Sequence, residues 1–154
     1  MARARHTSES DVLDEMLCFD LYTASRSLTR RYWPLLDKHH LTYPQCLVLV
    51  MLGGTGPSSI KDIVGALRLD HATLTPMLRR MEQAGVVARE RDRDDVRVVQ
   101  LTLTEYGARI HAASDEIQCR IRQDLALTPD QMRHLQLTLR DVTTSVERAL
   151  AQTD

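Results

Sequence analysis

The sequence predicts a mainly α-helical fold with one small β-hairpin, and three observations predict it. Apolar residues recur at three- and four-residue spacings through most of the chain. The period drops to two only between residues 86 and 104. Capping residues or a glycine stand at the borders of the helical stretches.

Residues 11–32 carry Val12, Leu13, Met16, Leu17, Phe19, Leu21, Leu28 and Tyr32, mostly at helical spacing and interleaved with Arg26, Arg30 and Arg31, which predicts one amphipathic helix. Pro34 interrupts it, because the residue before a proline is pushed out of the helical region. Thr42 is an N-cap with Pro44 in the first turn, opening a largely buried helix to about Leu52. "GGTGPSS" is a loop, after which Ser58 or Ser59 caps "IKDIVGALRL". Asp70 caps "HATLTPMLRRMEQAG", which Gly85 ends. Its apolar face is Leu74, Met77, Leu78 and Met81; the opposite face carries Thr73, Thr75, Arg79, Arg80 and Gln83. "VVARERDRDDVRVVQLTLT" then alternates apolar and polar residues around an acidic, arginine-rich turn, the pattern of a two-stranded antiparallel hairpin. Two helices close the chain, from about Glu105 to Leu125 behind Thr104 and from about Pro129 to Ala151 behind Thr128.

At 154 residues the chain is read as a single domain, 1–154, large enough to fold without covalent staples. The longest apolar run, "CLVLVML" at 46–52, is far shorter than the roughly 20 residues of a membrane crossing, so no membrane partner is expected. "MARARHTSES" lacks the apolar run of a secretory signal, and a cytoplasmic location is expected. Three cysteines, Cys18, Cys46 and Cys119, with no Cys-x-x-Cys pair, argue against a disulfide framework or a zinc site, and no metal or cofactor is expected. His39 and His40 are adjacent, point about 100° apart on a helix and are read as surface residues. Cys46, inside the apolar run, is read as core. A net charge of −1 means that any nucleic-acid contact must be local.

Two helices joined by a short link, the second polar on one face and followed at once by a hairpin, make the layout of a winged helix-turn-helix. The second helix of such a module enters the major groove, about 12 Å wide, with its N-terminal residues toward base edges. His71, Ala72, Thr73, Thr75 and Pro76 are the residues placed there, with Arg79 and Arg80 toward phosphates or guanine. In the wing, Arg93 and Arg97 are candidates for minor-groove or phosphate contact, and Asp95 for buttressing Arg97 by an ion pair.

The stretches "LCFDLYTASR" (17–26), "YWPLLDKHHLTYPQ" (32–45), "LDHATLTPMLRRMEQAGVV" (69–87) and "RDRDDVRVVQLTLTEYG" (91–107) resemble the MarR family of bacterial repressors, and specifically its organic hydroperoxide-sensing branch, the OhrR type. The resemblance implies an obligate homodimer, with residues 11–42 and 105–152 as dimerisation helices and 43–104 as the DNA-binding lobe. It implies double-stranded palindromic operator DNA as partner and an organic hydroperoxide as inducer. Cys18 matches the family's peroxide-reactive cysteine, and Tyr22, Tyr32 and Tyr43 match the tyrosines grouped around it. Cys119 stands where two-cysteine members place a resolving residue, which implies a disulfide from Cys18 to Cys119 of the partner subunit. His71 departs from the small residues that the family has at the helix start.

Cys18 and Tyr32 lie 14 residues apart, about 21 Å along one continuous helix, so a contact between them is expected only across a dimer interface, and the same is expected of Tyr43. Attack on a peroxide needs a thiolate, which cations, helix N-termini or hydrogen bonds favour. Asp14, Glu15 and Asp20 near Cys18 act in the opposite sense, leaving phenol O–H donors as the expected stabilisers. Two other functions compete with this one. A repressor of the same family that binds a small phenolic or lipophilic ligand would leave Cys18 incidental. A thiol peroxidase is disfavoured, because no arginine or histidine adjoins Cys18 in the sequence and the winged helix would then have no purpose; an enzyme is not expected.

Overall fold

A computed structural model of the 154-residue chain describes residues 12, 13, 15–91 and 98–152. It divides into two compact units, residues 1–117 and 118–154. The mainly helical class with a small sheet is as expected, and in the first unit the helices are α1 (Leu17–Arg30), α2 (Trp33–Lys38), α3 (Tyr43–Thr55), α4 (Ile60–Leu67), α5 (His71–Gln83) and the start of α6 (Glu105–Leu125).

The helix expected over 11–32 is broken: Val12 and Leu13 are helical, but Met16 is extended, with φ −97° and ψ 103°, and its side chain does not cap, so α1 starts at Leu17 and Cys18 is its second residue. Pro34 does not merely interrupt: it lies in the first turn of α2, where its missing N–H costs nothing. At the start of α3 the Thr42 N–H donates to the Gln45 side-chain oxygen at 2.7 Å. Ser59 and Asp62 make the reciprocal pair at the start of α4. Here the Ser59 hydroxyl and N–H hold the Asp62 carboxyl below its usual range.

The hairpin is β2 (Val87–Arg91) and β3 (Val99–Leu103), antiparallel with Val87 opposite Leu103 and Arg91 opposite Val99. The sheet has a third strand that the alternation pattern did not announce: β1 (Ser58–Ser59) pairs with the other edge of β3, Ser58 opposite Leu101. Two residues are too few to show a period of two. The pairing joins the start of α4 to the wing.

Leu49, Leu52, Ile63, Leu74, Leu78, Met81, Val86, Leu101 and Ile110 form the buried core of this unit. Each such side chain contributes about 1.5–3 kcal/mol by leaving water. A β-carbon on Gly107 would run into the Val86 carbonyl oxygen, so α6 passes directly against the end of α5.

The second unit holds the end of α6 and α7 (Pro129–Leu150), capped by Thr128, whose hydroxyl accepts from the Gln131 N–H at 3.2 Å. No residue of α7 is buried, although Leu135, Leu139, Val142 and Val146 recur at helical spacing along it. Among the described residues no helix is long and apolar enough to cross a membrane.

Candidate DNA-reading face and thiol site

Arg68 takes the left-handed conformation, φ 53°, and turns the chain from α4 into α5. Asp70 then caps α5, its carboxylate accepting from the Thr73 N–H at 2.6 Å, a bond that holds the carboxyl below its usual range. At the other end the Gly85 N–H donates to the Glu82 carbonyl and the Val86 N–H to the Met81 carbonyl, with Gly85 at φ 70°. Those two bonds are the Schellman closure. The helix is thereby fixed at both ends.

Its two faces separate as the sequence divides them. Leu74, Met77, Leu78 and Met81 are buried, and His71, Ala72, Thr73, Thr75, Pro76, Arg79 and Arg80 are all exposed. Among the described residues neither Arg79 nor Arg80 has an ion-pair partner, whereas Arg89 of β2 is tied to Glu82 at 3.0 Å. Pro76 lacks an N–H, which leaves the Ala72 carbonyl without its helical bond on the exposed face. Arg93, Asp95 and Arg97 lie outside the described residues.

Cys18 is exposed, in the first turn of α1, the end of the helix that carries partial positive charge. One turn on, Tyr22 is 56% exposed, and its phenol oxygen accepts from Arg26 Nη1 at 3.0 Å, with the guanidinium carbon 5.3 Å from the ring centre. Arg26 and Arg30 line an open groove of about 920 Å³ together with Trp33, Leu36 and Tyr43. Tyr43 meets Tyr32 edge to face, ring centres 5.2 Å apart. Tyr32 is only 6% exposed. Burial, and secondarily Cys46, raise the Tyr43 phenol above its usual pKa, so it keeps its proton near neutrality.

The structure thus places Tyr22 one helical turn from Cys18 and pairs Tyr32 with Tyr43. Cys46 is 1% exposed, and its thiol, despite a hydrogen bond with Ser114, is pushed up to about 11 by burial. In the second unit Cys119 is exposed and accepts from Arg122 Nη2 at 3.2 Å. Sequence reasoning passed over Arg26 and Arg122, although their spacings of four and three residues from Tyr22 and Cys119 put each pair on one helix face. It also read His39 as a surface residue; the ring is half-buried and its Nδ1 lies 2.8 Å from the Tyr106 hydroxyl.

A capped, half-exposed second helix followed by a hairpin makes a winged helix-turn-helix. The MarR family profile matches residues 41–99. The chain is 36% identical over 129 residues to the HTH-type transcriptional regulator MgrA of Staphylococcus aureus, a match spanning 83% of this chain and 88% of that protein. It is 49% identical over 96 residues, 62% of its length, to the organic hydroperoxide resistance transcriptional regulator of Bacillus subtilis (strain 168), and spans 65%, just under two thirds, of that relative. Among solved structures, overoxidised AbfR bound to DNA, from a protein of Staphylococcus epidermidis, aligns with TM-score 0.68 and 33% identity over 90% of this chain and 97% of that one. The disulfide-formed state of AbfR aligns with TM-score 0.59 and 30% identity over 92% and 94%. The chain belongs to the MarR family. The relatives that it matches are transcriptional regulators.

Proposed function

We propose that this regulator binds palindromic operator DNA as a homodimer and is released when Cys18 is oxidised by an organic hydroperoxide. The observation that carries the reading is the setting of Cys18: exposed, at the positive end of α1, on the helix that presents Tyr22 and Arg26. The likeness to a hydroperoxide resistance regulator supports it. Sulfur attacks the peroxide oxygen, an S–O bond forms as the O–O bond breaks, and the thiol's proton ends on the departing alkoxide as an alcohol. The resulting sulfenic acid condenses with Cys119 of the partner subunit, forming the S–S bond and releasing water. Tyr22, Tyr32 and Tyr43 supply phenol donors to the sulfur, and the protonated state of Tyr43 suits that role.

The dimer is supported by what the single chain leaves uncovered. Leu17 and Leu28 of α1 and Leu135, Leu139 and Val146 of α7 are exposed, and a second copy of the chain buries such stripes. On DNA, α5 occupies the major groove with Ala72, Thr73, Thr75 and Pro76 toward the bases, His71 at their edge, and Arg79 and Arg80 on the backbone; Arg93 and Arg97 of the wing, with Asp95 beside Arg97, reach further along the duplex. The experiment is a gel shift on a palindromic site with and without cumene hydroperoxide. The wild type is expected to leave the DNA on treatment and Cys18→Ser to stay bound; a Cys18→Ser protein that still dissociates ends the proposal.

A second reading rests on the groove beside α1, where two arginines and Trp33 suit a small aromatic acid or phenol. In that case a ligand of this kind releases DNA equally from the wild type and from Cys18→Ser.

A further inference from the structure

We propose that Arg26 is a positioning residue for the sensing thiol, acting through Tyr22; the inference rests on the reading of Cys18 as the reactive group. Cys18, Tyr22 and Arg26 recur every four residues and share one face of α1. A guanidinium has five N–H donors and no acceptor. In the 3.0 Å contact between Arg26 and Tyr22 the phenol oxygen must therefore accept, and the phenol's own hydrogen is left to donate elsewhere.

Direction follows from helix geometry. Long helical side chains lean toward the N-terminus, over the turn that precedes them. Arg26 shows that lean by reaching back to Tyr22, and the same lean carries Tyr22 toward the turn that holds Cys18. A phenol that is more than half exposed would otherwise sample several rotamers. Arg26 restrains it at two points, by the hydrogen bond and by lying 5.3 Å from the ring centre. The phenol is thereby held on the face of α1 that carries Cys18, one turn away, with its O–H free to donate. The step it serves is the one balanced above: sulfur loses two electrons to the O–O bond, becomes S–OH, and the alcohol departs with the thiol's proton.

The test uses the full-length dimer with Cys119→Ser, so that Cys18 is the exposed thiol that reports. Two rates are measured at one fixed pH, oxidation of Cys18 by cumene hydroperoxide and alkylation by iodoacetamide. The variants are Arg26→Met, Arg26→Lys, Tyr22→Phe and the Tyr22→Phe/Arg26→Met double. Loss of one charge-assisted hydrogen bond predicts that Arg26→Met slows both reactions about tenfold, that Arg26→Lys restores most of the rate, and that Arg26→Met adds nothing once the Tyr22 hydroxyl is gone. Wild-type rates in Arg26→Met, or the same slowing with and without that hydroxyl, overturn the inference. If cumene hydroperoxide leaves Cys18 untouched in every variant, the peroxide-sensing function fails, and the alkylation rates alone decide for or against Arg26.

Discussion

The Thr104 hydroxyl donates to the Gly85 carbonyl oxygen at 2.7 Å while accepting from the Gly107 N–H at 3.0 Å. One side chain therefore closes the end of α5 and caps the start of α6. Thr104→Val keeps the shape and removes both bonds. The expected cost is about 1–2 kcal/mol, a melting temperature lower by about 2–8 °C for a chain of this size. A thermal melt checks the first effect, and weaker binding in the gel shift checks that the loosened end belongs to the reading helix.

Two glycines sit at close approaches, and they differ in what lies opposite. A β-carbon on Gly107 meets the Val86 backbone carbonyl, which cannot move without the α5 terminus. One on Gly53 meets the His111 ring, a side chain. Gly107→Ala should cost about 1–3 kcal/mol or more by overpacking. Gly53→Ala should cost less, because a side chain rather than backbone has to shift. Urea unfolding midpoints of the two variants give the order.

The cysteines should separate in a labelling experiment. Cys18 and Cys119 are exposed and Cys46 is sealed in the core, so a maleimide at pH 8 should modify two thiols in the folded chain and the third only in urea. The folded chain holds the Cys46 proton up to about 11, against 9.0 in its ordinary state, so the unfolded chain releases it first. Stability from this group is full below pH 9 and is lost as pH rises toward 11. Cys46→Ala should flatten that part of the melting profile.

His39 works in the opposite sense. Burial first, then the charges of Lys38 and His40, hold the imidazole below its ordinary 6.5. As pH falls through 6.5 the unfolded chain takes up the proton before the folded one, so this contribution is full above that value and is lost as pH falls through the lower folded one. Melts from pH 7 to 5 should decline less steeply in His39→Gln. Tyr106→Phe removes the hydroxyl partner and should cost about 1 kcal/mol at pH 7.

How much of this the sequence made legible depended on range. Caps, the Gly85 stop and the buried face of α5 are local signals, and each announces itself within four residues. The 67-residue separation between His39 and Tyr106 carries no such signal, and adjacent histidines read as a solvated corner. The start of α1 was hidden for a different reason: Met16 has no capping side chain, so the periodic apolar residues of 11–32 ran through the break. That concealed the placement of Cys18 in a first helical turn. The three tyrosines entered through the family resemblance, whereas the guanidinium that meets Tyr22 did not, because Arg26 read as one more cation on a polar face.

Arg79 and Arg80 are the ninth and tenth residues of α5, about 12 Å and 13.5 Å along its axis from His71 at its start. In the proposed complex a guanidinium at that depth lies over the sugar-phosphate backbone. Neither has a partner to give up among the described residues, so the full charge is available. Arg79→Ala and Arg80→Ala should each weaken binding to every operator sequence alike and reduce the slope of log K against log salt by about 1. Thr75→Ala, which the proposed complex sets toward the bases, should instead change which operator is preferred and leave the salt slope as it was. Titrations at several salt concentrations against two operators give both quantities, and an altered base preference in Arg79→Ala would move that residue from the phosphates to a guanine edge.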